Sequence, residues 1–227
     1  MTIIEMHRAV DLGLQKVSSY QFDNFLPEEI DFFLNKMQDR FVKDVISKWG
    51  DPKRLGFEAI QKRLDDIRVL ITDAESSFTG ESYEDSASLP ADYCYAVNLR
   101  AKIYEKDCGK SQATTSSSEV KKNVRIVEQD MLYKLIDNPF ASPDKNSPLA
   151  VFEGNNIRII CNKLSILKSY CLEYIRKPAE MSLSLCTDCE LPTHTHQEIV
   201  DLTIKHMLET IESQRYQSNS IEHSEKE

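Results

Sequence analysis

The stretch "CTDCELPTHTHQEIV", residues 186–200, places Cys186, Cys189, His194 and His196 within eleven positions. Thiolates and imidazoles are ligands that zinc prefers, so a closed site here would make the chain a small metal-binding regulator. The spacing opposes that use. Cys186 and Cys189 have the two-residue gap of a zinc knuckle, but His194 and His196 are alternate residues and lack the three-to-five gap usual for a histidine pair. Four ligands in so short a loop, stiffened by Pro192, would also be crowded. The plainer use is two thiols in a surface connection, with Glu190-Leu191-Pro192 leading into a helix and Thr195 or His196 near its cap. No metal, cofactor or catalytic residue is assigned on this spacing, and whether the four side chains ever bind a metal is a question for metal analysis.

Nothing else along the chain assembles a reaction centre. Its six glycines form neither GxGxxG nor GxxxxGK[ST], and there is no GxSxG or HExxH. Glu28 with Glu29, and Asp65 with Asp66, are neighbours on helices, so the members of each pair diverge and are expected on a solvated face. Tyr93, Tyr95 and Tyr104 could stack on bases, yet Asp92, Glu105 and Asp107 beside them would repel phosphates, and strand packing is the better use. Trp49, the lone tryptophan, sits beside Gly50 at a helix end, where it would cap the core or anchor a partner. The chain is not expected to be an enzyme.

A length of 227 residues suffices to bury a core without metals or disulfides. The net charge of −9 argues against a broad, sequence-independent grip on nucleic acid, which needs lysines and arginines against phosphates, and leaves contact only through a local basic patch. No apolar run reaches the roughly eighteen residues of a membrane span, and "MTIIEMHRAVDLGLQ" has no signal-peptide pattern, so no membrane partner and a cytosolic origin are expected. Cys94, Cys108, Cys161, Cys171, Cys186 and Cys189 then read as free thiols, with Cys94 and Cys171 buried in apolar runs.

The elements that must position these residues follow from periodicity. Ile3, Met6, Val10, Leu14 and Val17 draw one helical stripe; Ile30, Phe33, Leu34, Met37, Phe41 and Val45 draw a second, entered at Pro27; Phe57, Ile60, Leu64, Ile67 and Ile71 draw a third. After a polar loop, "SSFTGESYEDSAS", the period changes to two: Tyr93, Tyr95, Val97, Leu99, Ala101 and Ile103 alternate with Cys94, Ala96, Asn98, Arg100 and Lys102. An exposed loop tip at 111–120, a strand in "KKNVRIVEQ", a short helical turn in "DMLYKLID", a hairpin in "LAVFEGNNIRIICN" and a long strand in "LSILKSYCLEYIRKP" follow. A last helix, from about Gln197 to Gln214, carries Val200, Ile204, Met207 and Ile211 on one face. The order predicts an α+β fold: a helical bundle of three N-terminal helices plus a C-terminal helix (1–75 and 197–215), with an inserted antiparallel β-sheet or small β-sandwich (89–178) and a mobile polar tail (216–227).

Several phrases together, "LPADYCYAVNLRAKI", "VRIVEQDMLYKLIDNPFASP", "YCLEYIRKPAEMSLS" and "CELPTHTHQEIVDLTIKHMLETIESQRY", resemble segments of virion proteins from crAss-like short-tailed bacteriophages, over roughly residues 20–216. The resemblance implies a head-to-tail connector: an adaptor-type neck ring docked beneath the portal that continues the DNA channel toward the tail. The proline and histidine before that family's last helix match Pro192 and His196, and its members are not associated with a metal on the two cysteines.

The partners implied are further copies of the chain in a dodecameric ring, the portal protein, other neck or tail ring proteins, and DNA in transient, non-specific passage. The place implied is the head–tail junction of the virion, after assembly in the bacterial host cytoplasm. An acidic channel would let DNA slide by repulsion, and the loop at 111–120 and the tail would order against a neighbouring subunit. The same phrases would also serve another tail or minor capsid component; from a different class, a small zinc-binding regulatory protein would need the 186–196 cluster to hold metal.

Overall fold

A computed structural model of the chain describes residues 1–15, 25–49, 65–78, 83–105, 120–144 and 146–210. Among these residues the α-helices of more than one turn are α1 (Ile3–Gln15), α2 (Pro27–Trp49), α3 (Gln129–Ile136) and α4 (His196–Thr210). The eight strands are β1 (Ile71–Ser77), β2 (Glu84–Ser88), β3 (Tyr93–Glu105), β4 (Val120–Asn123), β5 (Arg125–Ile126), β6 (Leu149–Glu153), β7 (Asn156–Ile160) and β8 (Ser165–Arg176). The fold is α+β, and it divides into two compact units, Met1–Leu70 with Lys177–Glu227, and Ile71–Arg176.

In the helical unit, α4 packs against both α1 and α2. The stripes read from periodicity supply the core: Ile3, Met6 and Val10 of α1, Ile30, Leu34, Met37, Phe41 and Val45 of α2, and Val200 and Met207 of α4 are all buried. Helix α1 opens with a reciprocal capping box, in which Glu5 N donates to Thr2 Oγ1 at 3.3 Å and Thr2 N to Glu5 Oε2 at 3.0 Å. Helix α2 has half of one: Glu29 Oε2 accepts from Leu26 N at 2.9 Å. A Cβ at Gly13 would lie 2.3 Å from Ile204 Cδ1, so a glycine lets α1 and α4 approach closely at that point.

Most of the expected third helix lies outside the described residues. Residues 65–67 are helical, Arg68–Leu70 form a 3-10 turn, and Ile67 and Leu70 are buried. Ile71 is not on a helix face as expected: it opens β1.

The β unit holds two four-stranded sheets, ordered β1-β8-β3-β4 and β2-β7-β6-β5. Leu99, Ala101 and Ile103 of β3 and Leu167, Tyr170 and Leu172 of β8 share one core with Ala150, Ile157 and Ile159 of the other sheet, which makes the insertion a β-sandwich. Every pairing is antiparallel except β5 with β6. The supposed polar loop at 76–88 contains the end of β1 and all of β2. Both are edge strands, so their polar side chains suit a half-solvated ladder and leave little hydrophobic alternation to read.

Two other expectations need correction. The alternation of β3 changes phase: Leu99, Ala101 and Ile103 point inward, but Tyr95 and Val97 are exposed. A register shift between Ala96 and Asn98 is the cause, because one extra residue turns the following side chains to the opposite face. "KKNVRIVEQ" is not one strand; β4 pairs with β3, Val124 N donates to Leu99 O at 2.8 Å, and β5 joins the second sheet.

The hairpin of β6 and β7 turns through Gly154 and Asn155, with Glu153 opposite Asn156. Gly154 has φ +59°, and a Cβ there would meet nothing within 4 Å. Gly154→Val is therefore expected to cost about 1–2 kcal/mol through backbone strain alone, and Gly154→Asn less, because asparagine tolerates the left-handed region. Urea midpoints check this, and a valine variant as stable as the parent would contradict it.

Candidate functional site

The 177–195 segment, which returns the chain to α4, is held along α2 by a polar row absent from the sequence reading: Asp31, Asn35 and Gln38, at helical spacing. Asp31 Oδ1 accepts from His7 Nε2 at 2.7 Å and its Oδ2 from Leu183 N at 3.0 Å. Asn35 makes a reciprocal pair with Met181, accepting from its N at 2.7 Å and donating Nδ2 to its O at 2.9 Å. Gln38 Nε2 donates to Ala179 O at 3.5 Å, and Glu190 Oε2 accepts from Ala179 N at 3.1 Å. Asp188 Oδ1 takes the Ile3 N–H at 2.7 Å, a further donor of the α1 terminus that a carboxylate satisfies well.

The four residues that raised the metal question stand within this clasp without converging. Cys186, at φ +50°, follows a tight turn from Leu183, and its Sγ lies 3.8 Å from Leu183 O. Cys189 is buried, and burial pushes its thiol pKa up. His194 Nε2 is 2.6 Å from Asp66 Oδ1. His196 is buried, with Nε2 donating to Leu191 O at 2.8 Å and Nδ1 accepting from the Met1 nitrogen at 3.0 Å. Among the described residues no group of three or more histidines, cysteines or acids could hold a metal ion. Protein purified without a histidine tag is expected to carry no stoichiometric zinc, and chelator to leave its melting temperature unchanged; a metal-dependent melt would contradict both.

One member of the two acidic pairs departs from the expectation. Asp65 is exposed, but Asp66 is 4% exposed and engaged with His194, so it does not belong to a solvated face. Glu28 and Glu29 are exposed. Cys94 and Cys171 are only partly buried; the buried thiols are Cys161, pushed up to about 12 by burial, and Cys189. The five described cysteines are free, and Cys108 lies outside the described residues. Tyr93 packs on Phe152 and Tyr174 at 5.8 and 5.9 Å, whereas the Tyr104 hydroxyl accepts from Lys168 at the surface. Trp49 ends α2, but its side chain lies outside the described residues, as do 111–119 of the expected loop and everything from 211 onward, the tail at 216–227 included; Val120, expected in the loop, opens β4.

Among the described residues, two clefts and a run of exposed apolar side chains are surfaces that could meet another molecule. Tyr83, Glu84, Asp85, Ser86 and Arg158 line a polar cleft on the β unit. Burial works against the Arg158 charge, but Glu84 and Glu153 outweigh it and raise its pKa. The helical unit has a cleft of about 330 Å³ lined by the apolar Ile4, Phe25, Pro27, Ile30 and Leu183 and by the polar His7, Arg8, Asp11 and Gln15. Ile126, Met131, Tyr133 and Phe140 are exposed within one short stretch of the β unit. No helix among the described residues is long and apolar enough to cross a membrane.

A family model described as phage tail ring protein 3/4 matches residues 1–221. No curated protein matches the chain.

Proposed function

From the premise that the chain belongs to the crAss phage tail ring protein 3/4 family, we propose that this structural virion protein forms a connector ring between portal and tail and continues the DNA channel. The family match over residues 1–221 is the observation that carries this reading. The ring is a dodecamer of the chain, assembled in the host cytoplasm and seated at the head–tail junction against the portal and other ring proteins. Its helical and β portions act as separate domains, and no reaction is catalysed. The net charge of −9 suits a channel through which DNA passes without adhering.

A second reading has its own support. The family description names tail rings, which favours a layer farther along the tail than the portal-proximal neck. Cryo-electron microscopy of the purified protein mixed with its portal separates the two. A discrete ring on the portal supports the connector; rings that ignore the portal and bind tail proteins support the other layer.

A further inference from the structure

We propose that the outer strands of one sheet, β1 and β4, pair with each other between neighbouring copies of the chain, so that the sheet β1-β8-β3-β4 runs on from subunit to subunit. The inference rests on the ring reading above and adds the surface that would build the ring. Among the described residues β1 and β4 are the outermost strands of this sheet, and each presents a row of backbone donors and acceptors to the outside. The ladder tells which residues these are. Phe78 N donates to Lys168 O and Val124 N to Leu99 O, at 2.7 and 2.8 Å. Bonding direction alternates along an antiparallel strand, so in these registers the main chains of Asp73 and Glu75 on β1, and of Lys121 and Asn123 on β4, point away from the sheet.

Three features fit the two edges to each other. β1 is antiparallel to β8, β8 to β3 and β3 to β4, so β1 and β4 run in opposite directions, and their meeting would extend an all-antiparallel sheet. Asp73, Glu75, Lys121 and Asn123 all carry exposed side chains, so pairing their main chains keeps the solvated face of the sheet in solvent. Charge then decides which edges meet. β1, "ITDAESS", carries Asp73 and Glu75 and no lysine or arginine, whereas β4, "VKKN", carries Lys121 and Lys122 and no acid. Glu75 already shares its charge with Lys102 of its own chain, at 2.5 Å, which makes Asp73 the stronger attractor for a further lysine. Two β1 edges, or two β4 edges, would set like charges against each other, and only β1 with β4 brings opposite charges together. In the second sheet the edges β2 and β5 run the same way, and β5 has two residues, so nothing comparable is offered there. A contact that uses different surfaces on its two copies closes into a ring when the rotation permits.

The test has two arms, both on the full chain. Wild type, isotope-labelled and unlabelled forms mixed, is treated with a carbodiimide, which joins a lysine to a carboxylate in contact with it, and crosslinks between copies are mapped by mass spectrometry. Crosslinks are expected from Lys121 or Lys122 of one copy to Asp73 or Glu75 of another. Native mass spectrometry then compares wild type with Lys121→Glu, Asp73→Lys and the double variant, alone and with tail proteins. Each single reversal is expected to lower the apparent association constant about tenfold at an unchanged melting temperature, and the double variant to recover to within about threefold of wild type. Crosslinks that land elsewhere or stay within one chain overturn the edge contact and leave the ring reading standing, as do reversals without effect on assembly. The crosslinking arm needs no variant and decides the matter if a reversal folds poorly. Failure of wild type to form rings under any of these conditions overturns both.

Discussion

Asp31→Ala is expected to destabilise the helical unit by about 2–4 kcal/mol, since it strips two donors of their acceptor at once. His7 Nε2 and Leu183 N each use one oxygen of the carboxylate, at 2.7 and 3.0 Å. His7 is 6% exposed, so water cannot readily replace the lost partner. Asp31→Asn is expected to cost less than half as much. Its carbonyl oxygen can still accept from Leu183 N, and its amide can donate to His7 Nε2 if the imidazole carries its proton on the other nitrogen. Urea unfolding followed by helical circular dichroism measures both variants; an alanine cost below about 0.5 kcal/mol, the range of an ordinary surface change, would show that the clasp is not held through this carboxylate.

Leu172→Ala should cost the β unit about 3–4 kcal/mol. Leu172 is fully buried on β8, the strand flanked by β1 and β3, opposite Ala74 on one side and Leu99 on the other. Deleting its side chain opens a cavity between the two sheets, where paired strands on both sides restrict collapse. Leu172→Met keeps the volume and should cost less than about 1.5 kcal/mol. Near-ultraviolet circular dichroism reports on this unit through the aromatic cluster of Tyr93, Phe152 and Tyr174. Equal midpoints for the alanine and methionine variants would contradict a core shared by both sheets.

These two residues also mark how far the fold was legible in the sequence. Leu172 lies in an apolar run whose strand character was plain, as were the α2 stripe and the hairpin around Gly154, because burial on one face imposes a period. The edge strands β1 and β2 gave no such signal: "ITDAESS" and "EDSAS" are placed mainly by backbone pairing to β8 and β7. The register shift between Ala96 and Asn98 was hidden because alternation continues on both sides of it with the phase inverted. Asp31, Asn35 and Gln38 occupy what pattern reading takes for a solvent face, and their partners in the 177–195 segment lie more than 140 residues away. The capping signature Thr2-Ile3-Ile4-Glu5, which the periodicity reading passed over, marks the α1 start.

Of the residues first suspected of metal chemistry, His194 is engaged with Asp66 and His196 with Leu191 O. Function was legible only through resemblance, because a ring subunit works through surfaces, and exposed side chains leave no period in a sequence.

Native mass spectrometry of the purified protein, paired with negative-stain images, tests ring formation most directly. A closed oligomer whose mass is a whole multiple of 26.1 kDa and whose images show rotational symmetry is the expected result. A protein that stays monomeric at high concentration, and in the presence of its portal and tail partners, would contradict it.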